Sequence, residues 1–335
     1  MKYYIGGDDG YDETKIVLHT GDGSKCFKIA SQAKSGEQTN VLLKGGESRV
    51  FSYDTDEGRF SIGNIREADP TSFDDYPLSA MNRVIVSHAI RHARLKDSDE
   101  IVIATGLPLK KFYTPSGRPN KELIEAKIKN LLKNDVRGIE GYKVPKIIKH
   151  EVLSEGIAAW MDFVIEEDAK GRLSFNESYV DMRMAFIDIG GRTTDIAVVK
   201  GGELELDRSN TVECGMLNVK NDIASAITAE FGVNPSTEQM REVMDTGSLK
   251  LWGKENNIDE IIQSKLKETS LRINSATKLC LKDASDIDLV VFVGGSTNRM
   301  EKYLENWFRN QSVGEQPGYA NARGMCKFVR MMDQK

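Results

Sequence analysis

The run Met184-Ala185-Phe186-Ile187-Asp188-Ile189-Gly190-Gly191-Arg192-Thr193-Thr194-Asp195-Ile196-Ala197-Val198-Val199 constrains this chain more than any other stretch. Two apolar segments flank a short glycine and threonine turn, which reads as strand, turn, strand. Glycine has no Cβ, so backbone N–H groups in such a turn can approach a phosphate closely. Thr193 and Thr194 add hydroxyl donors. Asp188 stands at the mouth of this cradle, where a carboxylate repels phosphate unless a divalent cation lies between them. It therefore implies Mg²⁺, held directly or through water. Taken alone, the run also fits a plain hairpin turn. What carries the argument is that the pattern recurs.

The N-terminus follows the same plan. Lys2-Tyr3-Tyr4-Ile5 leads into Gly6-Gly7-Asp8-Asp9-Gly10, Thr14-Lys15-Ile16-Val17-Leu18 leads into Gly21-Asp22-Gly23, and Lys25-Cys26-Phe27-Lys28-Ile29 follows. In the second half, Gly201-Gly202 and the strand Glu203-Leu204-Glu205-Leu206 complete the parallel. Two similar domains facing each other across a cleft are expected, each with a phosphate-binding hairpin. Lys15 then points along its strand toward a β- or γ-phosphate, unless it is an ordinary solvated strand-face lysine.

The chain has 335 residues, enough for two domains of ordinary size. A hydrophobic share of 39% and a charged share of 29% are those of a soluble globular protein. A net charge of −5 and a pI near 5.6 argue against a broad grip on DNA or on an anionic membrane. Cys26, Cys214, Cys280 and Cys326 are far apart, with no CxxC pair, which fits reduced thiols rather than a zinc site or disulfides. With no signal-peptide core and no run of about 18 apolar residues, a cytoplasmic location is expected.

Between the two hairpins, residues 31–78 are polar and glycine-dotted, with strand candidates at Arg49 to Tyr53 and Arg59 to Ile62, and read as an inserted subdomain. Helices are predicted over Ser79 to Lys96 and Lys121 to Lys133, with a buried strand from Glu100 to Gly106 between them. The lysines of the second helix are expected to be solvated. Another helix opens at Ser154-Glu155-Gly156, and its small residues Gly156, Ala158 and Ala159 allow close packing between two domains. Residues 166–182 read as a connection. Residues 216–281 read as mainly helical, over Asn218 to Phe231, Thr237 to Asp245 and Ile258 to Leu281.

Asp288 to Thr297 repeats the strand-then-Gly-Gly device at Gly294-Gly295, here without a carboxylate. A flat neutral ligand part such as adenosine fits there, and so does a ligand-free strand-to-helix turn. A helix from Arg299 to Asn310 follows. The last helix, opening at Tyr319-Ala320-Asn321-Ala322-Arg323-Gly324, is a natural partner for the one after Glu155. His88 is expected to be a packed helix histidine rather than a catalytic one.

Five segments in this order resemble the signature of the actin, DnaK-chaperone and sugar-kinase ATPase superfamily: Asp8-Asp9-Gly10 with Lys15, Glu155-Gly156, Asp188-Ile189-Gly190-Gly191 with Thr193-Thr194, Gly294-Gly295-Ser296, and Ala320 to Gly324. Within it, the chain is similar to plasmid-segregation actins of the ParM/StbA type, through Val86-Ser87-His88-Ala89-Ile90, Thr105-Gly106-Leu107-Pro108-Leu109, Phe112-Tyr113 and Arg118-Pro119-Asn120. The resemblance covers most of the chain and thins over 31–78 and 216–281. Arg192 departs from it, replacing the small or polar residue often found in that turn.

The resemblance implies an α/β actin-like ATPase fold of two similar domains, each with a central mixed sheet and an inserted subdomain, and a nucleotide cleft between them. Domain I is expected at 1–153 plus 318–335, with its insertion at about 31–78. Domain II is expected at 154–317, with its insertion at about 216–281. It further implies ATP (or ADP) with Mg²⁺ in the cleft and slow hydrolysis. Asp8 and Asp188 would hold the hydrated metal, and Glu155 and Asp188 would position and polarise the attacking water. Gly10, Tyr11 and Lys15 would meet the phosphates from one side, and Gly190, Gly191, Arg192 and Thr193 from the other. Gly294, Gly295 and Ser296 would face the adenosine, with Gly215 and Asn218 near the ribose or phosphates. The implied partners are further copies of the chain, in a head-to-tail filament, and a DNA-binding adaptor at a centromere-like site, with no direct DNA contact and no membrane. A small-metabolite kinase of the same superfamily is the alternative.

Overall fold

The computed structural model describes residues 1–21, 23–38, 50–63, 65, 67–139 and 141–334. Asp22 of the first predicted turns and Arg49 of a predicted strand lie outside the described residues. Three strands joined by tight turns, β1 (Lys2–Asp9), β2 (Glu13–Thr20) and β3 (Gly23–Ala30), open the chain as consecutive antiparallel pairs. Short strands β4 (Ala33–Ser35), β5 (Val50–Thr55) and β6 (Gly58–Gly63) build a small separate sheet. The chain then runs through α1 (Ala80–Arg91), β7 (Glu100–Leu107), α2 (Leu109–Phe112), α3 (Lys121–Leu132), β8 (Arg137–Gly138) and β9 (Lys146–Ser154). The strands β7 and β9 extend the first sheet in parallel, giving the order β3-β2-β1-β7-β9.

The helix α4 (Glu155–Val164), the hairpin β10 (Ile165–Glu167) and β11 (Leu173–Phe175), and α5 (Glu177–Val180) lead to the second half. There β12 (Arg183–Ile189), β13 (Thr194–Lys200), β14 (Glu203–Leu204) and β15 (Asn210–Val212) are followed by α6 (Met216–Phe231), α7 (Thr237–Thr246), the hairpin β16 (Ser248–Leu251) and β17 (Lys254–Asn257), and α8 (Asp259–Leu281). The strands β18 (Leu289–Val293) and β19 (Gln311–Val313), separated by α9 (Thr297–Leu304), complete a sheet ordered β14-β13-β12-β18-β19. The last helix is α10 (Ala320–Asp333). Both sheets thus share one plan, an antiparallel hairpin at the centre and two parallel strands added on one side.

Each final strand hands over to a helix that covers the other sheet. The α4 residues Ala159, Trp160 and Val164 pack on Met184, Phe186, Ala197 and Val199 of the second sheet. The α10 residues Met325 and Val329 pack on Val102, Ala104 and Leu153 of the first, and Ala322 and Cys326 pack on Val17. The outer faces are covered by α1 and α3 on one sheet and by α6 and α8 on the other. Both sheets are therefore buried on both faces, which is why their central strands read as continuous apolar runs. The crossing of α4 and α10 is close enough that a Cβ on Gly324 would collide with the backbone carbonyl of Ala158, and α10 lies so close on β1 that one on Gly6 would collide with that of Ala322.

Several boundaries differ from those predicted. The first helix stops at Arg91 rather than Lys96, because Arg94 takes a left-handed φ of 53° and turns the chain. The helix predicted to Asn310 ends at Leu304, where Asn306 is left-handed at 61° and the Asn310 amide is drawn to the carbonyls of Ala284 and Ile287. The strand predicted over Glu203 to Leu206 pairs only at Glu203 and Leu204 before a tight helical turn from Leu206 to Arg208. Within 216–281, the stretch 248–257, left between two predicted helices, forms a hairpin with Leu249 and Leu251 both turned inward. The small sheet also recruits β8 from far along the chain, through Tyr53 and Asp54.

If the helix crossing fixes the two halves, Gly324→Ala should destabilise the chain by about 3 kcal/mol or more, because backbone cannot yield as a side chain does. Gly201→Asn, in an open turn with nothing near a new Cβ, should change little. Urea unfolding of both variants checks this.

Candidate functional site

The two central hairpins meet turn to turn. Asp8 lies near the end of β1 and Asp188 near the end of β12, both buried. A Cβ on Gly191 would come within 2.6 Å of the Asp12 Cβ, so that turn has to be bare. A cleft of about 1010 Å³ opens here, of a size that suits a cofactor. Its lining includes Asp8, Gly10, Tyr11, Lys15, Glu155, Asp188, Gly190, Gly191, Arg192, Thr193, Gly295 and Ser296. Twelve residues singled out in the sequence, from four separated segments, are thereby brought together. Lys15 pairs in register with Asp8, and its Nζ lies 3.4 Å from Asp8 Oδ2 and 3.6 Å from Glu13 Oε2. It is buried and reaches across to the other half, 2.8 Å from where a Gly295 Cβ would stand.

Negative charge exceeds positive at the floor of this cleft. Burial, and then the neighbouring Asp8, push the Asp188 carboxyl up to about 6, against a hydrogen bond from Asn321 Nδ2 at 2.6 Å. Burial also raises Asp8, partly offset by Lys15. Glu155, first residue of α4, is held well above the usual carboxylate range by burial and by Asp195, Asp188 and Asp8. Its side chain lies against Gly106, where a Cβ would come 2.7 Å from Glu155 Cγ. Such mutually raised carboxyls call for a cation or a proton.

Among the described residues no group of three or more acidic, histidine or cysteine side chains could enclose a metal alone. A divalent cation at Asp8 and Asp188 would therefore complete its shell with phosphate oxygens and water, which is how Mg²⁺ is usually held beside a nucleotide. The donor set fits that ion.

Gly294, Gly215 and Asn218 stand behind the cleft wall, and Ser296, Tyr11 and Arg192 brace it. Gly294, with φ of 98°, lies under Asp188, and a Cβ there would come within 2.5 Å of the Ile189 carbonyl oxygen. Ser296 ties the two Gly-Gly turns together, its Oγ donating to the Gly190 carbonyl at 3.0 Å. Gly215 packs beneath the Gly190-Gly191 carbonyls, and Asn218 Oδ1 accepts from its N–H at 3.0 Å, which caps α6. The N–H groups of Met216 and Leu217 donate to the Gly190 and Gly191 carbonyls, fixing the turn. The Tyr11 ring packs at a tilt against Tyr76, 5.3 Å away, and Arg192 pairs with Asp74.

Several site groups were not picked out from the sequence. Asp195 is one, although it was in view: an antiparallel hairpin turning at Gly190 to Thr193 sets Asp195 directly opposite Asp188. It accepts from Leu109 N at 3.0 Å and from Thr211 Oγ1, and burial pushes its carboxyl up to about 7. Lys127, expected to be solvated, is fully buried instead, with its Nζ 2.9 Å from Asp9 Oδ1 and donating to the Gly106 carbonyl. Nothing in a lysine-rich helical repeat marks which lysine turns inward. At the far end of the cleft, Lys220, Met240, Met244 and Arg299 join Gly295 and Ser296, so α6, α7 and α9 all contribute there.

Comparison with known proteins bears on this geometry. Residues 1–166 match the family model described as plasmid segregation protein ParM, N-terminal, and residues 186–306 match the archaeal actin homologue MreB-like, C-terminal. No curated protein sequence matches the chain. Among solved structures, a ParM from Clostridium botulinum in a 15-stranded filament is similar at a TM-score of 0.75 and 19% identity, covering 98% of this chain and 99% of that one. The archaeal actin homologue Ta0583 is similar at 0.72 and 20% identity, covering 97% and 98%. Its complex with ADP gives 0.72 at 19%, with the same coverage. The fold is actin-like.

A buried carboxyl that holds its proton to about pH 7 makes folding weaker as pH rises. Below the ordinary carboxylate pKa both folded and unfolded chains carry the proton. Above it the unfolded chain loses it first, and stability falls until the folded group also ionises. Asp195→Asn mimics the neutral form, so it should stabilise the nucleotide-free protein by about 2 kcal/mol at pH 8 and by much less near pH 5. Urea unfolding at the two pH values checks this, and an equal effect at both would remove Asp195 as the proton holder.

Proposed function

We propose, from the premise that this chain belongs to the actin-like proteins and has a ParM-type N-terminal half, that it is a Mg²⁺-dependent ATPase whose nucleotide state governs its assembly into filaments. The observation that carries this is the facing of Asp8 and Asp188, from two matched hairpins, across a cleft with Glu155 on its floor. In this reading domain I comprises 1–153 with 318–335, and domain II comprises 154–317. The relatives whose structures resemble this one include a ParM filament and an archaeal actin homologue bound to ADP, which supports both assembly and nucleotide binding.

Asp8 and Asp188 would hold Mg²⁺ through its water, and the ion would neutralise and orient the phosphate oxygens. Lys15 places its ammonium beside the phosphates from the first half. The N–H groups of Gly10 and Tyr11 meet the chain of phosphates on that side, and those of Gly191 to Thr193 on the other, the Gly190 N–H being held by the Thr193 carbonyl. Glu155 and Asp188 orient a water for in-line attack, and the raised proton affinity of Glu155 suits it to take the water's proton. Gly295 and Ser296 lead toward the adenosine end with Gly294, Gly215 and Asn218 behind, and Met240 and Met244 supply apolar surface for a base. The biological role that follows is movement of plasmid DNA through an adaptor bound to a centromere-like site, since a net charge of −5 gives no broad attraction to DNA. Among the described residues no helix is long and apolar enough to cross a membrane.

Light scattering on adding ATP with Mg²⁺ should report assembly above a critical concentration, and a soak should place the triphosphate between the two hairpins. Acceptor-dependent ADP release without assembly would instead identify a metabolite kinase. Glu155→Ala should bind ATP and assemble while hydrolysis falls about 10²-fold or more, the usual scale for loss of a positioned base. Unchanged turnover would take Glu155 out of the mechanism.

A further inference from the structure

Arg192 stands in the Gly190 to Thr193 turn, yet its guanidinium reaches the facing half. Its Nη2 donates to Asp74 Oδ1 at 2.9 Å, and its guanidinium carbon lies 5.3 Å from the centre of the Tyr11 ring. Both partners come from the N-terminal half, Tyr11 from the β1–β2 turn and Asp74 from the segment before α1. Lys111 fixes the receiving side, its Nζ donating to the Asp74 carbonyl at 2.8 Å and to the Tyr11 hydroxyl at 3.2 Å. Beyond Gly191, Lys220 of α6 donates to Asp12 Oδ1 at 2.5 Å. Two ion pairs therefore bracket the place where the hairpin turns touch, each with its cation on the second half and its carboxylate on the first.

The two pairs differ in how firmly they are built. Asp12 is mostly shielded, with 19% of its side chain exposed, whereas Asp74 is 79% exposed. Arg192 Nη1 is buried with no hydrogen-bond acceptor, so a single carboxylate holds the guanidinium. Behind it lies a cavity of about 410 Å³, lined by Tyr11, Pro108, Lys111, Arg192, Thr193 and Thr211, with room for the side chain to leave Asp74. An ion pair with one exposed partner, one unfilled donor and space to swing into makes and breaks easily.

We propose that Arg192 is a positioning residue for the phosphate turn, and that its bond to Asp74 clasps the two halves and sets how long a nucleotide stays bound. This rests on the nucleotide reading given above. Parting of the hairpin turns to release a triphosphate pulls Arg192 from Asp74. The clasp therefore acts on the release rate rather than on folding.

The test is the release rate of a fluorescent ATP analogue from the full chain, by stopped-flow chase with excess ATP. Arg192→Ala and Asp74→Ala should each speed release about 5-fold, and the double variant should be no faster than the faster single, as coupled partners require. Arg192→Lys, which keeps the cation opposite Asp74, should hold the rate closer to the wild type than Arg192→Ala does. About 0.5 M salt should speed release from the wild type by a larger factor than from the double variant, since the other charges are screened in both and this pair only where it exists. Single variants that release at the wild-type rate, or two effects that multiply, would overturn the clasp while leaving the nucleotide reading intact. A wild type that takes up no nucleotide would overturn both. Should Arg192→Ala unfold, Asp74→Ala and Arg192→Lys decide the matter alone.

Discussion

The contact between α4 and α10 is the constraint on which the site depends. Each helix begins where a sheet ends, and each covers the sheet it did not come from. The two cross at Gly324 and Ala158 with no side chain between their backbones. Their first residues therefore lie at one place, the floor between the hairpins. Glu155 opens α4, and Asn321 sits at the start of α10 with its amide on Asp188. A bulkier residue at the crossing would displace both helix starts together, and with them the acid and the amide.

That placement explains how so much negative charge is tolerated. Asp8, Asp188, Asp195 and Glu155 share one low-dielectric floor with, among the described residues, two buried ammonium groups, on Lys15 and Lys127. Like charges at this range cannot all ionise unaided, and the carboxyls answer by holding protons. The positive end of α4 points at the same floor and offsets part of the cost. A site poised in this way has a strong electrostatic appetite for a cation, and the backbone N–H groups of the two bare turns have one for an anion. A metal-bound polyphosphate satisfies both at once, which neither a free metal nor a free phosphate does.

Much of this was legible in the sequence, because glycine leaves an unmistakable mark. The hairpin turns, the buried strands and the small-residue helices were each set by a local rule, and the expected phosphate-side residues do line one cleft. Asp195 was legible too, from hairpin register alone. What escaped depends on distant contacts. The strand at Arg137 and Gly138 exists only because Tyr53 and Asp54 offer it an edge. Lys127 is buried because Asp9 and the Gly106 carbonyl wait for it, and no pattern within its own helix says so. The helix ends near Arg94 and Asn306 turn on left-handed residues that are not glycine, which sequence rules do not foresee.

The two halves also show where a repeated plan is free to diverge. Strand order and hairpin placement are the same in both, because a buried sheet tolerates few alternatives. The helix starts are not: one half supplies a carboxylate at Glu155, the other an amide at Asn321. The turns differ in the same way. Tyr11 in the first turn offers an aromatic face, Arg192 in the second offers a cation, and the two meet across the cleft. Two identical turns would present like to like, cation against cation or ring against ring. An unlike pair adds an attraction that two cations would not, so a departure from symmetry at this spot helps one half hold the other.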